Sequence, residues 1–198
     1  TAFNPTDDSV YEGSETAIIA ITGVSGGDAT ESGTQSETIT ITDNETAPTV
    51  TLSTSASSVA ENGSDITLTA TLSGATSEDV TVTLTGTGTS TAGTDYASLS
   101  TITISAGSTT GTTTFNPTDD SIYEGSETAI IAITGVSGGD ATENATQSET
   151  ITITDNESAP TVTLSTSASS VAENGSDLTL TATLSVATTA DVTVTLAG

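Results

Sequence analysis

Not one lysine, arginine or histidine occurs in this chain, and cysteine, methionine and tryptophan are missing as well. Each absence excludes a class of chemistry. Without cysteine there are no disulfides and no thiolate metal sites. Without histidine there is neither a Ser-His-Asp triad nor imidazole-held zinc. Phosphate cradles that rely on lysine, and nucleic-acid surfaces built from lysine and arginine, cannot be assembled. Aromatic residues amount to 3%, namely Phe3, Phe115, Tyr11, Tyr96 and Tyr123. No stretch approaches the roughly 20 apolar residues of a membrane span, and no signal or lipidation motif is found. The missing methionine points to a processed chain or a window on a longer one.

What the chain does hold is acid and hydroxyl. Its 198 residues carry 26 Asp and Glu for a formal net charge of −26, and about two fifths of the positions are Thr or Ser. High charge with few aromatics usually signals disorder. Here 32% of residues are hydrophobic and mean hydropathy is +0.01. Val, Ile and Leu alternate with Thr at period two, the mark of half-buried strands.

An internal repeat organises everything else. The run Phe3-Asn4-Pro5-Thr6-Asp7-Asp8-Ser9-Val10-Tyr11-Glu12-Gly13 returns as Phe115-Asn116-Pro117-Thr118-Asp119-Asp120-Ser121-Ile122-Tyr123-Glu124-Gly125, 112 residues later. Residues 1–86 align on 113–198 without a gap and with ten mismatches, most of them mild. That period exceeds the 20–50 residues of solenoid units and suits a whole domain. Ala47-Pro48 and Ala159-Pro160 each follow an Asp-Asn-Glu punctuation that reads as a linker. The expected organisation is the C-terminal part of one repeat at 1–46, a complete repeat at 47–158, and the N-terminal part of another at 159–198.

Seven strands are expected in the complete repeat: Thr49–Ser53, Asp65–Ser73, Asp79–Thr85, Leu99–Ser105, Gly111–Phe115, Glu127–Thr134 and Glu149–Thr154. Ile66, Leu68, Ala70 and Leu72 share one face, as do Val80, Val82 and Leu84, and Ile102, Ile104, Ile151 and Ile153 point inward. No helical period is found. Seven short strands in about 110 residues predict an all-β, immunoglobulin-like antiparallel sandwich with a thin core.

If the strands alternate up and down, the first–second, third–fourth and fifth–sixth connections share one end with the close of the seventh strand. Glu61, Asp95, Asp119, Asp120, Glu124, Glu127, Asp155 and Glu157 all map there. With no cationic side chain to offset them, these carboxylates call for a hard divalent ion. Calcium, with 6–8 oxygen ligands and tolerance of flexible loops, fits better than magnesium. The ion would sit where one repeat meets the next. Scattered acids such as Glu31, Glu37, Glu78, Asp79 and Glu149 read as a solvated surface. Gly138-Gly139-Asp140 reads as a tight turn.

In order along the repeat stand V-A-E-N-G, V-T-V-T-L, A-G-T-D-Y, D-D-S-I-Y-E-G-S-E-T and I-T-I-T-D-N-E. This series resembles the Calx-β domain. The resemblance implies a seven-stranded sandwich, calcium ligands at Glu61, Asp95, Asp119, Asp120, Glu124 and Asp155, and a setting in tandem arrays of bacterial surface adhesins. The family's closing run, often three Asp, is here Asp155-Asn156-Glu157, which carries less charge and implies weaker binding or fewer ions.

The function expected is structural: a calcium-stiffened spacer in an extracellular fibre or adhesin at the cell surface, with neighbouring repeats as its partners. The alternative is a filament subunit whose terminal half-domains are completed by other copies through strand addition. No enzyme, nucleic-acid partner or membrane span is expected of this segment; a glycan or surface ligand would belong to other parts of the parent protein. Asn44, Asn62, Asn144, Asn156 and Asn174 match the N-glycosylation pattern, as chance allows in so hydroxyl-rich a chain.

Overall fold

The computed structural model describes residues 1–198, and every regular element is a strand. The first copy contributes β1 (Val10–Tyr11), β2 (Glu15–Ala20) and β3 (Ser36–Ile41). The central stretch begins with β4 (Thr49–Thr54), β5 (Ser58–Ala60), β6 (Ile66–Leu72), β7 (Ala75–Thr76) and β8 (Val80–Gly88). It continues with β9 (Ile102–Ile104), β10 (Thr110–Phe115), β11 (Ile122–Tyr123), β12 (Glu127–Ser137), β13 (Thr142–Glu143) and β14 (Ser148–Thr154). The last copy adds β15 (Val162–Thr166), β16 (Leu180–Leu184) and β17 (Ala187–Thr188).

Two sheets face each other in the central stretch. One runs β10-β6-β4-β13 and the other β5-β14-β12-β8-β9. Alternation decides which side chains lie between them. Ile66, Leu68, Ala70 and Leu72 of β6 are all buried, as are Val80 and Val82, Ile102 and Ile104, and Ile151 and Ile153. Thr fills the outward positions, where a β-branched polar residue suits a solvated strand face. Eighteen buried apolar residues between Val50 and Ile153 form a single cluster. Its two aromatic members, Tyr96 and Phe115, stack with centroids 4.8 Å apart. Gly86 makes room for Tyr96, because a Cβ there would run into its hydroxyl.

The seven expected strands are all present, with altered ends. The fourth shrinks to Ile102–Ile104, while the sixth extends to Ser137 through a register shift between Ile133 and Gly135. Four short strands carry no periodic signal: β5, β7, β11 and β13. All four pair in parallel: β5 on β14 and β13 on β4 at the edges of the two sheets, which are otherwise antiparallel, and β7 and β11 on strands of the flanking copies. Short edge strands of this kind limit sheet-to-sheet association.

Outside the sandwich, β2–β3 and β15–β16 pair as isolated antiparallel ladders. Near-identical sequence meets a different fate there. Ile19 is 48% exposed where its counterpart Ile131 is fully buried, and Leu180 is 54% exposed where Leu68 is fully buried. A strand's apolar face is buried only by a facing layer.

Candidate metal centre

The acidic connections do meet at one end of the sandwich. Glu61 follows β5, and its backbone N–H donates to the Thr154 carbonyl at 3.1 Å, which ties the turn to the end of β14. Asp155 comes next in the chain. Its Oδ2 accepts the N–H groups of Glu124 (2.7 Å) and Gly125 (2.6 Å), and its Oδ1 accepts that of Glu157 (2.7 Å). One carboxylate thus clamps the loop before β12 against the end of β14. Asp95 is placed by a second set of bonds. Its Oδ2 accepts the Thr91 N–H at 2.5 Å, and its carbonyl accepts the Thr118 N–H at 2.9 Å.

Two triads of carboxylates result. Glu61, Asp155 and Glu157 bring ligand oxygens within 4.8 Å of one another, and so do Asp95, Glu124 and Glu127. Glu61 and Asp95 are buried, 6% and 7% exposed. The Oε2 atoms of Glu61 and Glu157 are buried with no hydrogen-bond partner. A buried unpaired acceptor is costly, and a buried unpaired charge more so.

The titration behaviour follows from this crowding. Burial, followed by the charges of Asp155, Glu157, Asp120 and Glu124, pushes Glu61 up to about 7. Burial and a shared hydrogen bond with Asp95 push Glu127 up to about 7 as well. Burial raises Glu124, helped by the charges of Asp95, Asp120 and Asp155. Burial also raises Glu157, which shares a hydrogen bond with Asp155. Asp155 goes the other way: burial acts to raise it, but the N–H donors of Gly125, Glu124 and Glu157 outweigh burial and hold it below the ordinary carboxylate value.

A sign can be assigned to the pH dependence. Glu61 ionises near 4.5 in an unfolded chain and only near 7 in the fold, so the metal-free folded state favours its proton. Its contribution to stability should therefore be full below pH 4.5 and be lost as pH rises through about 7. Glu61 alone contributes on the order of 3 kcal/mol, and Glu127 acts in the same direction. Asp155 has the opposite sign and acts only below the ordinary carboxylate range. Denaturant unfolding in chelator at pH 5 and pH 8 checks this; equal midpoints would contradict it.

The six residues anticipated as ligands divide. Glu61 and Asp155 fall in one triad, and Asp95 and Glu124 in the other. Asp119 and Asp120 belong to neither and are exposed. Asp120 instead caps a turn, its Oδ1 accepting the Ile122 N–H at 2.7 Å. Glu127 and Glu157 complete the triads. Sequence placed both at this end but outside the ligand set implied by resemblance. Glu127 opens β12, and the pairing of β12 with β14 turns it toward Asp95.

The first copy repeats the clamp. Asp43 Oδ2 accepts the N–H groups of Glu12 (2.6 Å) and Gly13 (2.7 Å), and Oδ1 accepts that of Glu45 (2.9 Å). Those bonds, led by the Glu12 N–H, hold Asp43 down to about 2. Asp7, Asp8, Glu12, Glu15, Asp43 and Glu45 line a cleft of about 50 Å³ beside it. The set is all oxygen, clustered and, in the central repeat, partly desolvated without partners. Its donor chemistry fits a hard divalent cation, to which the carboxylates would supply oxygen and charge.

No curated protein matches the chain. Among solved structures it is similar to an apo-form Calx CBD1 domain at 20% identity and TM-score 0.46, over 55% of this chain and 98% of that one. It is also similar to CBD12 from CALX1.2, at 21% identity and TM-score 0.45, over 53% of this chain and 44% of that one. A third similar structure is the calcium binding domain CBD12 of CALX1.1, at 23% identity and TM-score 0.43, over 50% of this chain and 40% of that one. The LapA domain family matches residues 47–157, more than half of the chain and all of the sandwich. The protein belongs to the LapA domain family.

Proposed function

We propose that this chain is a structural repeat of a cell-surface adhesion protein, a spacer stiffened by calcium at the acidic end of each repeat. The LapA domain is adhesion-related, which supports the surface setting. The observation that carries the calcium reading is the buried, unpartnered Glu61 Oε2 beside Asp155 and Glu157, in a chain without a cationic side chain. A bound cation would relieve the repulsion that raises Glu61 and would give that oxygen a partner. Residues of the triads come from four separate connections, so an ion there would add a cross-link to loops now joined by the Asp155 clamp and a few backbone bonds. The working partner is the neighbouring repeat, and the role is mechanical rather than catalytic.

Calorimetric titration of calcium into the full chain tests this. Saturable binding is expected in the range of about 10⁻⁴–10⁻³ M typical of extracellular modules. Proton release should be larger at pH 6 than at pH 8, because Glu61 and Glu127 must deprotonate to bind. Glu61→Gln should weaken binding at least tenfold. No saturable binding at millimolar calcium would overturn the reading.

A further inference from the structure

The same two-residue ladder joins successive copies twice. Val10 and Tyr11 of β1 pair in parallel with Ala75 and Thr76 of β7. Ile122 and Tyr123 of β11 pair in parallel with Ala187 and Thr188 of β17. Every residue of the second ladder lies 112 positions after its equivalent in the first, in the same register. The first ladder is extended by the Ser77 N–H, which donates to the Tyr11 carbonyl at 3.0 Å. The Tyr11 hydroxyl donates to Asp140 Oδ2 at 3.0 Å, across 129 residues of chain.

The receiving surface is closely packed. Gly138, Gly139 and Asp140 have φ of 96°, 54° and 50°, three successive residues in the left-handed region. A Cβ at Gly139 would strike the Thr76 side chain, and one at Gly138 would strike the Asp79 carbonyl. Only glycine lets the turn lie this close to β7. The Gly139 N–H donates to Glu78 Oε2 at 3.1 Å, which fastens the turn from the other side. Thr76 is 1% exposed. Asp140 is thereby held at a fixed position beside β7.

We infer that each repeat carries a plug, the Val/Ile-Tyr pair of β1 or β11, and at its opposite end a socket, formed by β7 and the Gly138–Asp140 turn, so that successive copies dock head to tail without metal. The partner is a further copy of this repeat. Plug and socket are different surfaces, so the contact is heterologous and open, and it propagates into a linear array. Backbone ladder bonds set the register, as in strand addition, and the tyrosine–aspartate bond fixes the plug laterally. The contacts of the joint are backbone and hydroxyl bonds, made by residues next to the triad carboxylates rather than by those carboxylates themselves.

The test uses the full chain in chelator. Since the chain has no cysteine, Ser9→Cys and Thr103→Cys give two unique spin-label sites, one on the plug segment and one on the sandwich. Pulsed electron resonance should return a single narrow distance distribution. Tyr11→Phe and Asp140→Asn should each widen it, and Ser77→Pro, which deletes the donor to the Tyr11 carbonyl, should at least double its width. Tyr11→Ala gives the same readout without touching the sandwich, should Ser77→Pro impair folding. A wild-type distribution as broad as that of Tyr11→Ala would overturn the inference, as would variants that all leave it narrow.

Discussion

Removing calcium should lower the melting midpoint of the central repeat by about 10 °C or more at pH 8. A ligand present at 100 times its dissociation constant stabilises the state it binds by about 2.7 kcal/mol. For a domain of roughly this size, each kcal/mol moves the midpoint by about 4–8 °C. The control is sodium chloride matched for ionic strength, because a chain of net charge −26 gains from screening alone. Glu61→Gln gives the reading a second edge. Losing one of the crowded charges should raise the metal-free midpoint at pH 8, yet the same change should remove most of the calcium shift. A solvated acidic surface would show neither effect, and coincident curves with calcium and with chelator would end the calcium reading. Because the triads draw on four connections, the calcium shift should appear in the single cooperative transition of the sandwich.

Phe115→Ala should cost about 3–5 kcal/mol, the range for truncating a fully buried aromatic. That is a large part of the roughly 5–15 kcal/mol that holds a domain together. Phe115 ends β10 opposite Ile66, has no exposure, and stacks on Tyr96 in a core with no other aromatic. Smaller aliphatic neighbours cannot collapse into the space without moving the Tyr96 segment, which also carries Asp95. The variant should therefore weaken calcium binding as well as stability. Phe3 is the internal comparison: it opens the same Phe-Asn-Pro-Thr-Asp-Asp sequence but is 44% exposed. Phe3→Ala should change the midpoint by less than about 0.5 kcal/mol equivalent, the usual size of a surface effect. Equal losses from the two substitutions, read by denaturant unfolding, would mean that the core is not confined to the central repeat.

Much of this protein could be read from its sequence, for a local reason. A strand's inward positions depend on a period of two, and alternation of Ile, Leu and Val with Thr states that period residue by residue. The buried faces of β6, β8, β9 and β14 were legible on that basis. So was the gathering of acids at one end, because a simple up-and-down order of strands suffices to bring those loops together. The repeat is a matter of identity at a spacing of 112 and needs no structure.

Tertiary structure decided what depends on neighbours. Asp119 and Asp120 sit in the most conspicuous acidic motif yet join neither triad, while Glu127 and Glu157 do. Which carboxylates meet is set by strand register and by the backbone N–H groups that claim Asp155 and Asp120, and neither is written in composition. Glu78 and Asp79 look like surface charge but accept the N–H groups of Gly139 and Ala106. Two-residue strands such as β7 and β11 are too short to carry a period, so the plug and its socket emerge only when two copies are seen together. Ile19 and Ile131 make the point most simply. They occupy equivalent positions in near-identical sequence, and only the one with a sheet facing it is buried. Sequence determines which face of a strand is apolar; the presence of a second layer, a property of the assembled chain, determines whether that face becomes a core.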